Sequence, residues 1–232
     1  MQMTISLDNK SIYSFGDSLM YGHHNQIGML DELAKNHGMK YVKYAVNGAS
    51  VIPQLELKIG NPILGPDIIE QISLAAPECP EFICFNGLTN DAYDFVVEQH
   101  LGTISEGYSG GYSENTYTGG LETICYRLRE KYPHSHILYV CSHKMPTRSM
   151  KAQNILQQCA RDVCEKWSIP YVDVYRAGQI NTCIPAMRTA YSYDGPCDKT
   201  GGNGTHLNPE GYRLWYAPLI LNKLIQMMDV GS

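Results

Sequence analysis

Short apolar runs alternate with helix-period stretches along most of this chain, and that alternation restricts the fold more than any other feature. Strand-like runs lie at Ser11–Phe15, Tyr41–Val46, Glu81–Phe85, His136–Cys141 and Pro170–Val174. Between them, helical patterns cover Gln26–His37, Pro66–Leu74, Gly120–Lys131 and Met150–Trp167. A last helix is expected to open at Asn208-Pro209, because proline suits a first helical turn. Strands separated by helices pair through crossovers, which makes them parallel and places helices on both sheet faces. Five strands are too few for a closed (β/α)₈ barrel. The expectation is therefore an α/β three-layer sandwich with a five-stranded parallel sheet in the flavodoxin-like order 2-1-3-4-5. The 232 residues suit one sizeable domain, 1–232, and no repeat or linker divides them.

Two segments break the rhythm. Residues 92–119 are polar, glycine-rich and dotted with tyrosine, and residues 176–205 form a second long connection punctuated by Gly, Pro and Asn. Long connections inside a small domain tend to carry function. The formal net charge is −5, which gives no footing for nucleic acid or an anionic membrane surface. The expected partner is a small-molecule or glycan substrate. Leu214–Met228, the most apolar late stretch, is broken by Pro218, Asn222 and Lys223, so no membrane span is expected. The amino-terminal M-Q-M-T-I-S-L-D-N-K lacks a basic segment followed by an apolar run. A cytoplasmic location is expected, with secretion open only if a leader has been trimmed. Eight cysteines show no C-x-x-C pair or zinc-site spacing. Cys183 and Cys197 are close enough in one loop to pair in an oxidising compartment, but reduced thiols are the expectation.

Candidate chemistry collects where strands end. Ligands of open α/β sheets bind beyond the strands' carboxyl ends. The first strand runs into Phe15-Gly16-Asp17-Ser18-Leu19, and a serine at a strand-to-helix turn sits among converging backbone N–H groups. The second strand is followed by Asn47-Gly48-Ala49-Ser50, and the third by Asn86-Gly87-Leu88-Thr89-Asn90-Asp91. The fifth is followed, after its long loop, by Asn203-Gly204-Thr205-His206-Leu207-Asn208-Pro209-Glu210-Gly211-Tyr212.

These four blocks, in this order, resemble those of the SGNH hydrolase (GDSL-like lipase/acylhydrolase) family, and they span residues 11 to 212. The resemblance implies a carboxylic ester hydrolase with Ser18 as nucleophile and His206 as its base. It places the oxyanion on the backbone N–H groups of Ser18 and Gly48 and on the side-chain amide of Asn90. It implies no metal or organic cofactor. Asp17 is read as a brace for the turn rather than a proton carrier. Activities within the family range over lipases, lysophospholipases, thioesterases and carbohydrate deacetylases. The polar, tyrosine-rich loop tilts the reading toward a short acyl group on a polar or sugar-like alcohol. Tyr108, Tyr112 and Tyr117 are candidate substrate contacts, since tyrosine offers an apolar face with a polar tip. His143, just past the fourth strand, is a further candidate with an equally good structural reading. His23 and His24 follow the serine closely, and surface exposure is their expected fate.

Two positions depart from the family pattern. Leu88 stands where the third block normally has glycine, with Gly87 one residue early. More consequentially, Asn203 occupies the place of the aspartate that orients the histidine. An uncharged amide there costs about 10⁴ in kcat in a chymotrypsin-type triad. Three outcomes follow: a Ser–His dyad, a carboxylate supplied by Asp198 or Asp194 from the same loop, or a degenerate protein that binds a glycan or ester without turning it over.

Overall fold

β1 (Ser11–Phe15) is the strand next to which the others are built. In the computed structural model, which describes residues 6–24, 27–55, 65–193 and 202–229, it pairs in parallel with β2 (Lys40–Lys43) and β3 (Phe82–Phe85). β4 (His136–Val140) lies beyond β3, and β5 (Tyr171–Val172) beyond β4, giving the order β2-β1-β3-β4-β5 expected from the sequence. β3 is buried at every position, as a strand covered on both faces must be. β2 alternates exposed Lys40 and Val42 with half-buried Tyr41 and Lys43, which suits an edge.

Side-chain alternation along the strands sorts the core into two layers. Tyr13, Phe15, Ile83 and Phe85 point to one face. There they meet α3 (Ile68–Leu74), α5 (Tyr117–Lys131) and α6 (Met150–Lys166) through Ile68, Ile72, Leu121, Ile124, Leu156 and Val163. Ile12, Phe82, Cys84, Leu138 and Val140 point to the other face. That face is covered by α2 (Asp31–Asn36) and by α10 (Ala217–Asp229), through Leu33, Ile220 and Leu224. The short α1 (Ser18–Tyr21) follows β1, and α7 (Val174–Ala177), α8 (Pro185–Tyr191) and α9 (Pro209–Gly211) follow β5. A wide π-turn, Tyr212–Tyr216, joins α9 to α10. Among the described residues no helix is long and apolar enough to cross a membrane. Cys183 and the other described cysteines are free thiols, and Cys197 lies outside the described residues.

The 92–119 segment is the main departure from expectation. It contains α4 (Asp94–Gln99), and its glycine-rich part is tied down away from the carboxyl edge. α6 leaves β4 at that edge and returns to the amino edge to feed β5, so its last residues lie far from Ser18. Tyr108 packs there, its hydroxyl donating to the Lys166 carbonyl at 3.3 Å and its ring 5.4 Å from that of Trp167. Tyr112 faces Trp167 and Tyr126. Tyr117 is fully buried, and its hydroxyl donates to the Gly87 carbonyl at 2.8 Å. None of the three lines the edge that carries Ser18, which corrects their assignment to the substrate wall. Sequence spacing put the segment directly after Asn90, but the chain travels down the molecule before α5 begins.

The anchor is Lys166. Its ammonium donates to the Ser105 carbonyl at 2.8 Å, to the Gly107 carbonyl at 2.7 Å and to the carboxylate of buried Glu122. Removing one member of a buried ion pair strands the other charge. Lys166→Met should therefore lower the free energy of unfolding by roughly 3–5 kcal/mol, measured by urea denaturation. It should also open residues 102–113 to limited proteolysis. A variant as stable and protease-resistant as the parent would show that the segment is held by other contacts.

Candidate active site

The turn after β1 begins at Gly16, whose φ is +144°. A Cβ at this position would lie 1.8 Å from the Oδ1 of Asn86, so only glycine lets the two chains pass. Asn86 takes advantage of that approach: its Oδ1 accepts from the Asp17 N–H at 3.2 Å and its Nδ2 donates to Asp17 Oδ1 at 2.8 Å. Asp17 in turn caps α1, accepting from the Leu19 N–H at 2.9 Å. Burial raises the Asp17 carboxyl above its ordinary range. From the other side Gln71, buried on α3, accepts from Gly16 N–H at 2.8 Å and donates to Gly16 O at 3.0 Å. Asp17 thus braces the turn, as its position suggests, with Asn86 and Gln71 as partners.

Ser18 follows at the first position of α1, 5% exposed, with its Oγ 2.8 Å from Nε2 of His206. The second block arrives alongside. Gly48 sits at φ +82°, where other residues are strained. Asn90 Nδ2 donates to the neighbouring Ala49 carbonyl at 2.9 Å. Asp91, fully buried, accepts from the Val51 N–H at 3.0 Å and the Ile52 N–H at 3.0 Å. The third block therefore holds the second, side chain to main chain. Leu88, at the family's glycine position, is buried in the core, and its carbonyl accepts from the Asp91 N–H at 2.9 Å to close the turn.

The His206 loop is fixed from beneath. His143 is fully buried, which corrects its candidacy as a substrate contact. Its Nε2 lies 3.0 Å from the Gly204 carbonyl, which can only accept, so Nε2 carries the proton. Its Nδ1 then accepts from the Tyr216 hydroxyl at 2.8 Å. The π-turn brings that hydroxyl into place. Thr182 Oγ1 donates to the same Gly204 carbonyl at 2.6 Å. The Thr147 and Thr205 hydroxyls bond to each other beside His206.

Asn203 is exposed, and its Oδ1 accepts from the Thr205 N–H at 2.8 Å, a local turn bond. Asp194 and Asp198, the alternative carboxylates, lie outside the described residues. His23 was the residue that sequence reasoning undervalued. Its ring stacks on His206 with centroids 3.9 Å apart and planes 7° from parallel, and His24 meets it edge-on. The only local signal was its distance from Ser18, about one helical turn. Gln71 and Arg148 gave no signal, because nothing in a helix or loop pattern marks which polar residue turns inward. Among the described residues no grouping of three His, Cys, Asp or Glu side chains suits a metal ion.

His206 is pushed down to about 3, first by burial and then by the neighbouring His23, His143, Arg148 and His24. His143 is pushed down to about 4 by burial. Both are neutral when folded, whereas an unfolded histidine titrates near 6.5. The unfolded chain therefore binds more protons below pH 6.5, so stability is full above that pH and falls as pH drops toward 4 and then 3. Asp17, shifted upward by burial, opposes this, because its folded form takes up a proton at a pH above the ordinary carboxylate value. Urea titrations across the range should show that slope, and His143→Gln should flatten it by about one proton. A slope untouched by the substitution would remove His143 from the account.

The model of the GDSL-like lipase/acylhydrolase family matches residues 14–214. No curated protein matches the sequence. Among solved structures, a protein from Lactobacillus plantarum superposes with a TM-score of 0.74 at 16% identity, covering 96% of this chain and 99% of its own. A lipase/acylhydrolase from Enterococcus faecalis gives 0.56 at 16% identity, covering 93% and 95%. A member of the lipolytic G-D-S-L family from Veillonella parvula gives 0.55 at 16% identity, covering 91% and 96%. At these identities the structures establish the shared α/β fold. The family match covers most of the chain and contains every residue of the Ser18–His206 arrangement, and it supports ester hydrolysis in general terms. The chain belongs to the GDSL-like lipase/acylhydrolase family.

Proposed function

We propose that this protein, a single domain over residues 1–232, hydrolyses carboxylic esters through an acyl-serine intermediate, favouring a short acyl group on a polar or carbohydrate-like alcohol. The observation that carries the reading is the 2.8 Å contact between Ser18 Oγ and His206 Nε2. Neutral His206 accepts the serine proton as Oγ bonds to the ester carbon. The carbonyl oxygen becomes an oxyanion, held by the N–H groups of Ser18 and Gly48 and by the second amide hydrogen of Asn90. Collapse breaks the ester C–O bond, and His206 returns the proton to the departing alcohol. Water then repeats the sequence on the acyl-serine and releases the acid.

A buried imidazole is a weak base at rest. It gains basicity as negative charge develops on the oxygen beside it. His23 packs the ring from one side, so its plane is set by stacking as well as by hydrogen bonds. With the tyrosines placed elsewhere, the preference for a polar alcohol rests on His23, His24, Thr147 and Arg148 around the serine. The alternative of a binding protein with little turnover draws on Asn203, whose amide carries no charge and whose oxygen is engaged by Thr205 N–H.

A fluorophosphonate probe should label the protein once, and Ser18→Ala should abolish labelling. Asn90→Ala should lower kcat on p-nitrophenyl acetate by about 10²–10³ with KM little changed. Labelling that survives Ser18→Ala would overturn the nucleophile.

Asn203→Asp tests the orienter. It should raise kcat by up to about 10⁴ if no carboxylate already serves. If Asp194 or Asp198 serves, the gain should vanish, and Asp194→Asn or Asp198→Asn in the native background should cost activity instead. Indifference to all three substitutions would leave the dyad where turnover persists, and the binding protein where it does not.

A further inference from the structure

We propose that Arg148 forms a subsite for an anionic group of the substrate, a carboxylate or a phosphate, beside the Ser18–His206 pair; the inference deepens the ester-hydrolase reading and rests on it. Arg148 lies in the connection between β4 and α6, at the carboxyl edge of the sheet. Its Nε donates to the Thr89 carbonyl at 2.6 Å and its Nη1 to the Thr147 carbonyl at 3.1 Å. Thr89 precedes Asn90, and the Thr147 side chain bonds Thr205, which precedes His206. The guanidinium therefore ties the Asn90 loop to its own loop, and the Thr147 hydroxyl ties that loop to the one carrying His206. Arg148 is also one of the charges acting on His206.

No carboxylate comes within ion-pairing distance of Arg148 among the described residues, although the chain carries a formal charge of −5. The acids around it are committed elsewhere. Asp91 accepts from the Val51 and Ile52 amides, Asp17 from Leu19 and Asn86, and Asp94 from the Ser149 hydroxyl. A guanidinium has five N–H donors, and the two hydrogen bonds to carbonyls use two of them. The third contact is the face of Tyr93, 5.3 Å away. The side chain is half-buried, so it has lost part of its hydration without pairing to a carboxylate among the described residues. The first turn of α6, which starts two residues later, holds no acidic residue of its own, and the one carboxylate bonded at its N-cap is that of Asp94, through the Ser149 hydroxyl. A planar donor fork held by carbonyls, with its remaining hydrogens unspent, matches the geometry of carboxylate or phosphate oxygens.

The subsite predicts selectivity for charge rather than for size. Three esters separate the contributions: neutral p-nitrophenyl acetate, mono-p-nitrophenyl succinate with the charge on the acyl side, and 4-acetoxybenzoate with the charge on the leaving group. Arg148→Met should reduce kcat/KM on at least one anionic ester by roughly 10–100-fold beyond its effect on the neutral one. Arg148→Lys should recover part of that difference. An equal loss on all three esters would overturn the subsite and leave Arg148 as a brace for the Asn90 turn. If the parent protein hydrolyses none of them, the hydrolase reading fails by itself. Calorimetric titration with monomethyl succinate and with inorganic phosphate then decides the subsite. Binding of either that is lost in Arg148→Met supports it and identifies the source of the charge; no binding, or binding indifferent to the substitution, overturns it.

Discussion

The close passage of Gly16 against Asn86 is the constraint from which the site follows. A parallel sheet delivers its loops to one edge, but it does not by itself bring a serine within hydrogen-bonding distance of a histidine almost two hundred residues later. Because Gly16 has no side chain, Asn86 can pair with both main chain and side chain of Asp17. That pairing fixes the start of α1 and hence the direction of Ser18. The last residues of β1 and the first loop residues after β3 become one rigid unit, to which Gln71 adds a clamp from the helix layer.

The remaining loops are joined by the same device, a buried polar side chain satisfied by a neighbouring loop's backbone. Asp91 holds the Gly48 loop, Asn90 reaches Ala49, and His143 with Thr182 holds Gly204. A buried donor or acceptor left unpaired costs about 1–3 kcal/mol, so each contact penalises any arrangement in which the loops drift apart. The network is therefore specific as well as stabilising. Its members are short polar residues at strand ends, where backbone groups no longer belong to the sheet and need partners.

Electrostatically the site separates its charges. Among the described residues, the carboxylates of the first and third blocks, Asp17 and Asp91, are fully buried and accept from backbone or amide donors. Beside His206 lie the stacked ring of His23 and the charge of half-buried Arg148. Burial keeps His206 neutral and ready to accept a proton at physiological pH.

The chain's apolar rhythm determined the parallel five-stranded sheet and its order, since crossover helices leave few other solutions. Strand and helix ends were legible to within a few residues where a proline or a change of period marked them. Ser18, Gly48, Asn90 and His206 were legible as candidates because the four blocks that carry them resemble, in order, those of the SGNH hydrolase family, and the first three blocks follow strands that end at one edge. What sequence could not decide was direction. Tyr108, Tyr112 and Tyr117 follow Asn90 in the chain, yet helix packing carries the first two to the opposite edge and buries the third. His143 also follows a strand, but Tyr216 and Gly204 capture both of its nitrogens inside the protein. His23 looked like a surface residue and became the stacking partner of His206, and Arg148 became the cation between two loops. Those outcomes depend on which side chains the fold brings face to face across long stretches of chain, and that information exists only in three dimensions.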